Sequence, residues 1–151
     1  MLRDRFKESL AEAMKAQDEI SVSTLRLILA ALKDREIAAR SKGSTACPDD
    51  DAIMDLLQSM VRQRRESIGL YQTAQRPDLA EREQKEIEVI ERFLPRQLTG
   101  EELEAAVKET IAEIGAESLK DIGRTMGALK ERYAGQMDFA KASAVVKEQL
   151  G

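Results

Sequence analysis

The sequence predicts an all-α protein, built as a four-helix N-terminal domain followed by a smaller three-helix tail domain. Three observations carry this expectation. Apolar residues recur every three or four positions along nearly the whole chain, the repeat of helices buried on one side. Aromatic residues make up 3% and charged residues 34% of the 151 residues, with no Trp, which suits aliphatic helical cores. The stretch Ile87–Thr99 divides the chain. Ile87, Ile90 and Leu94 form one apolar stripe, and Pro95 disfavours the α conformation at Leu94. Thr99 and Glu102 then spell a Thr-x-x-Glu capping box, with Leu98 and Leu103 at staple positions. The expected domains are 1–94 and 95–151.

The helices follow in order. Leu2, Phe6, Leu10, Ala13 and Met14 mark the first. Ser21 or Ser23 can cap the second, whose apolar set is Val22, Leu25, Ile28, Leu29, Leu32 and Ile37. Ser41–Pro48 reads as an exposed loop. Asp49, Asp50 and Asp51 open the third helix, where carboxylates meet the positive end of the macrodipole. A metal cluster is the alternative for this run, but no further ligands follow at a recognisable spacing. Ile53, Leu56, Leu57, Met60, Val61, Ile68 and Tyr71 give the third helix its core face, interrupted by Arg64. Pro77 breaks the chain and Asp78 can cap the fourth helix. Glu81, Glu83, Glu86, Glu88 and Glu91 would form its acidic outer face, steadied by Glu81 with Lys85 and Arg82 with Glu86. The short connection makes the third and fourth helices antiparallel neighbours.

After Pro95 the helices shorten. Leu103, Val107, Ile111 and Ile114 mark the fifth, closed by Gly115. Leu119, Ile122, Met126, Leu129 and Tyr133 mark the sixth, which Gly135 ends. Asp138 can cap the seventh, with Phe139, Ala142, Val145, Val146 and Leu150 facing inward. The expected tail core is Leu103, Val107, Ile111, Ile122, Met126, Leu129, Val146 and Leu150. Gly123 and Gly127 sit one turn apart within the sixth helix. Each costs about 1 kcal/mol against Ala, so close approach of another helix is expected there. Two tolerated, exposed glycines are the alternative.

Composition excludes several functions. The chain contains no His, which removes Ser-His and Cys-His pairs and every His-containing zinc site. No run of about 18 apolar residues suggests a membrane span, and the N-terminus lacks the apolar region of a signal peptide. A single cysteine, Cys47, fits a reducing compartment, read as the cytoplasm. The net charge of −4 argues against broad electrostatic capture of nucleic acid but leaves room for a local basic face.

No catalytic constellation is recognisable, and neither is a cofactor site. A P-loop and a dinucleotide glycine fingerprint are both absent. Cys47 has only Lys42 as a nearby cation in sequence to lower its pKa. The glutamates from Glu81 to Glu91 spread along solvent at helical spacing. Two basic groups remain as binding candidates. Arg62 and Arg65 share a face of the third helix, and with Arg64 could grip phosphates or pair with Glu66, Glu88 or Glu91. Lys120, Arg124, Lys130 and Arg132 cluster on and around the sixth helix, in a tail that holds more acids than bases. Such a patch can position an RNA backbone without reading its sequence.

Five segments carry a resemblance to a known family. They are Thr24-Leu25-Arg26-Leu27-Ile28, Arg62-Gln63-Arg64-Arg65-Glu66-Ser67-Ile68, Asp78-Leu79-Ala80-Glu81, Glu86–Pro95 and Lys120-Asp121-Ile122-Gly123-Arg124-Thr125-Met126. Together, in order and spacing, they resemble the GatB/YqeY family. That family shares its fold with the tail of the GatB component of the glutamine-dependent tRNA amidotransferase. The resemblance implies the four-plus-three helix arrangement. It also implies a stand-alone relative of a tRNA-contacting module, with tRNA or tRNA-processing proteins as partners. Carbon–nitrogen ligase activity with glutamine as amide donor is associated with the family, but no amidase nucleophile system or ATP site is recognisable here. The expectation is therefore a non-catalytic, tRNA-associated accessory protein. A helical protein–protein interaction module with no nucleic-acid role is the alternative. One departure stands out. Family members often carry Gly-Arg-Ala-Asp-Gly-Lys after the sixth helix, where this chain has Gly135-Gln136-Met137-Asp138-Phe139-Ala140. Gly135 and Asp138 persist, but Gln136 and Ala140 hold the Arg and Lys positions, which weakens the case for RNA contact there.

Overall fold

The computed structural model describes residues 1–43 and 47–151. Among the described residues, seven α-helices and one 3-10 turn make up the regular structure, with no strand. The loop expected over Ser41–Pro48 falls in part on 44–46, outside the described residues; Cys47 is exposed. Packing divides the chain into two compact units, Met1–Leu94 and Pro95–Gly151.

The first unit holds α1 (Leu2–Ala16), α2 (Glu19–Ser41), α3 (Asp50–Thr73) and α4 (Pro77–Glu91). Its core joins Leu2 and Phe6 of α1, Leu25, Ile28 and Leu32 of α2, Ile53, Leu57 and Val61 of α3, and Ile87 and Ile90 of α4. The Phe6 and Phe93 rings meet edge to face at 4.9 Å, the arrangement the ring quadrupoles favour. Asp49 caps α3 by accepting from the Ala52 amide at 2.8 Å. Asp50 accepts from the Leu2 amide at 3.2 Å, so this aspartate run closes helix ends. The Ala74–Arg76 connection folds α4 back along α3, the most extensive helix pairing of the unit.

Several expectations for this unit are corrected. Asp18, rather than Ser21 or Ser23, caps α2: its carboxylate accepts from the Ser21 amide at 3.2 Å and the Ser21 hydroxyl at 2.6 Å. Those bonds hold the Asp18 carboxyl below its usual range. Asp78 does not cap α4. The N-cap is Arg76, with Pro77 in the first turn, where its missing N–H costs nothing; Asp78 instead accepts from the Arg76 side chain. Met14 and Ile37 are 52% and 53% exposed, outside the core. Glu86 is buried and leaves the acidic outer face for the α3–α4 seam. The pairing of Lys85 with Glu81 and the approach of Arg82 to Glu86 are present.

The second unit holds α5 (Gly100–Ile114), a 3-10 turn (Leu119–Asp121), α6 (Ile122–Arg132) and α7 (Phe139–Leu150). The capping box at Thr99 and Glu102 forms in full. Arg96 adds two donors to the same carboxylate, at 3.2 and 2.6 Å. Together they hold the Glu102 carboxyl down at about 2. Gly115 closes α5 at φ +67°, a left-handed position that glycine fills without strain. Leu103, Val107, Leu129, Ala142, Val146 and Leu150 form the core. Ile111, Ile122 and Met126 only line its edge, and Leu119 is 51% exposed in the 3-10 turn. Met137, which periodicity does not mark, is 2% exposed.

The turn after α6 is part of this packing. The Leu98 amide donates to the Gln136 carbonyl at 2.9 Å, and Gln97 Nε2 donates to the Gly135 carbonyl at 2.7 Å. Asp138 then caps α7 through the Ala140 amide. The departures at Gln136 and Ala140 thus fall where the backbone, not the side chain, makes the bonds.

Candidate nucleic-acid interface

The basic residues singled out by the sequence lie on both units. In the first unit, Arg64 and Arg65 turn toward α4. Arg65 Nη2 donates to Glu91 at 3.2 Å in an exposed pair, a contact worth little against solvent. Arg64 Nε donates to Glu86 at 3.1 Å with both side chains largely out of water, and Arg64 also donates to the Met60 carbonyl. Glu83, close by, is held above its usual range by burial and by the Glu86 charge. Intramolecular pairing therefore takes Arg64 and Arg65, and Arg62 stands half-buried on α3.

In the second unit the basic residues surround α6. Arg124 Nη2 donates to Asp121 at 3.2 Å. The Asp121 carboxyl, lowered chiefly by the Glu117 amide and then by Arg124, stands at the start of the helix. Lys120, the residue before it, is exposed in the 3-10 turn that leads into the helix. Lys130 lies 6.0 Å over the Phe139 ring, a cation–π contact. Arg132 pairs with Glu113 of α5.

The four do not form one stripe. At about 100° per residue, Lys130 stands about 120° from Arg124 on one side and Arg132 about 80° on the other. Between Arg124 and Lys130, on the same side, lie Gly127 and Gly123, about 60° and 100° from Arg124. Both glycines are exposed, and a Cβ built on either meets nothing within 4 Å. The close helix approach expected at these glycines is therefore absent within the described residues, and the exposed-face alternative holds. The result is a strip of bare main chain between Arg124 and Lys130, with Glu131 about 20° inside its Arg124 edge and Lys120 in the 3-10 turn just before the helix. Sequence spacing pointed to the cations and to the glycines and fixes their angles on an ideal helix. It did not show that the glycines have no covering neighbour, which only the tertiary structure decided.

Comparison with known proteins places the chain. The family model described as Yqey-like protein matches residues 3–150. The chain belongs to the YqeY-like family. Its curated relatives include proteins named "Altered inheritance of mitochondria protein 41, mitochondrial". The one from Lachancea thermotolerans is 35% identical over 68% of this chain and 53% of its own length. Those from Eremothecium gossypii and Candida glabrata are each 33% identical, over 82% and 89% of this chain and 62% and 69% of their own lengths. This YqeY-like chain thus spans between about half and two thirds of the curated relatives it matches. Their names overturn the cytoplasmic location expected from the sequence, since these relatives are named as mitochondrial. That expectation leaned on one cysteine, and cysteine usage reports how reducing a compartment is, not which compartment it is. No described helix is long and apolar enough to cross a membrane.

Proposed function

We propose that this YqeY-like chain is a non-catalytic, tRNA-associated accessory protein that touches the RNA backbone through α6. The observation that carries the reading is the exposed Gly123/Gly127 strip between Arg124 and Lys130, with Lys120 exposed in the turn before the helix. A bare helix face admits a bulky polyanion to the main chain, and these three cations neutralise phosphates without reading bases. The sequence's resemblance to the GatB/YqeY family, which implies a fold shared with a tRNA-contacting tail, supports the same choice of ligand. Arg132, on the side of Arg124 away from the glycines, and Arg62 and Arg65 on the other unit play a lesser part.

Filter binding of tRNA at low salt tests this. The expected result is binding whose log–log salt slope is about −0.7 to −0.9 per phosphate contact, lost when Arg124 and Lys130 are both replaced by Glu. No binding at tens of micromolar, or binding indifferent to those replacements, would remove the reading. The second reading, a protein-interaction module without RNA, draws on the same strip, which could equally seat a partner helix. A pull-down with and without nuclease separates them: partners that survive nuclease favour the second.

A further inference from the structure

The face of α2 that turns away from the core has a pattern of its own. Leu25, Ile28 and Leu32 are buried inward. Outward, Ser23, Leu27, Ala30, Asp34 and Ile37 recur at intervals of 4, 3, 4 and 3, the spacing of a helix seam. Leu27 and Ile37 are 46% and 53% exposed. Leu27 and Ala30 form the ridge between two grooves. One, of about 760 Å³, runs beside Met14, Val22 and Arg26. The other, of about 440 Å³, runs beside Asp34 and Met60. Arg26 and Asp34 are exposed and carry no ion pair among the described residues. They stand four residues to either side of Ala30.

We propose that this face binds a second copy of the same chain, with the two α2 helices packed antiparallel about a two-fold axis at Ala30. The symmetry of the charges selects this occupant. In an antiparallel pair centred on Ala30, position 26 opposes position 34 of the other copy, and position 23 opposes position 37. Arg26 then meets the partner's Asp34 on one side of the axis, and Asp34 meets the partner's Arg26 on the other. A two-fold contact requires such a self-complementary patch. A parallel pairing in register would set Arg26 against Arg26 and Asp34 against Asp34, and like charges reject it. Shape agrees with charge. Ala30 lets the backbones approach closely on the axis, Ile37 faces the small Ser23 of the other copy, and each Leu27 is offered a groove beside the facing Ala30. The stem of Lys33 opposes Leu27 and can cover it while its charge stays in water.

Sedimentation equilibrium of the full chain over a range of concentrations and salt tests the proposal. A monomer–dimer equilibrium weakened by salt is expected. Arg26→Asp alone and Asp34→Arg alone should each raise the dimer dissociation constant roughly tenfold or more, since each turns two attractions into two repulsions. The double variant Arg26→Asp/Asp34→Arg should restore it. Both exchanged positions lie in solvent in the monomer, and circular dichroism checks that each variant keeps its helices. Leu27→Lys, which disrupts the seam without touching the ion pairs, should also give monomer. A chain that stays monomeric at every concentration overturns the proposal. So does a dimer unmoved by the single reversals, or one that the double reversal fails to recover.

Discussion

Arg64 of α3 reaches Glu86 of α4 at 3.1 Å, with the two side chains only 13% and 10% exposed. Two charges at a helix seam are stable there only as a pair. Glu86→Ala strands the Arg64 guanidinium in a poorly solvated place and should destabilise the first unit by about 3 kcal/mol. Replacing both, Arg64→Met with Glu86→Leu, should recover most of that loss, because apolar packing replaces a pair that was costly to desolvate. Urea unfolding of the two variants and the parent measures both values.

The two compact units lead to a second prediction. The fragment Pro95–Gly151 should be helical and melt cooperatively if its core of Leu103, Val107, Leu129 and Val146 suffices. Leu129→Ala, at a side chain fully out of water, should cost about 2–5 kcal/mol, enough to unfold so small a domain. In the full chain the first unit should then melt separately. A single transition lowered as a whole would show that the two units fold together.

Glu102 provides a pH signature. Its carboxyl is held at about 2, against an ordinary 4.5, by Arg96 and the Thr99 amide. A carboxyl whose folded pKa is depressed stabilises the fold above its unfolded pKa and loses that contribution as pH falls through the folded value. The second unit should therefore lose stability progressively between about pH 4.5 and 2. Glu102→Gln should flatten that part of the profile, read by thermal melts across the range.

Gly127→Ala and Gly123→Ala should stabilise the second unit by up to about 1 kcal/mol each, the ordinary gain of Ala over Gly inside a helix. The open space around both positions leaves nothing for the new methyl to strike. If the bare strip serves a ligand, a larger residue, Gly127→Leu, should keep the added stability and weaken RNA binding. Melting temperature and filter binding on the same samples separate the two effects.

Local physics was legible in the sequence. The stripes Leu25–Ile28–Leu32 and Ile87–Ile90, the capping box at Thr99 and Glu102, the helix starts at Asp49 and Asp138 and the stop at Gly115 all follow from spacing within about one turn of helix. Only the tertiary structure decided which apolar residues are covered and which charges are not. Met14 and Ile37 fit the helical period but have no neighbour over them. Glu86 fits an acidic surface but is covered by α3 and met by Arg64. Gly123 and Gly127 have the spacing of a helix contact and are bare. Ser21 has the chemistry of a cap, yet Asp18 stands nearer the helix start and takes its hydrogen bonds. Period along one helix fixes the angle at which a side chain leaves the axis; what stands at that angle belongs to another part of the chain, and no spacing within the helix records it.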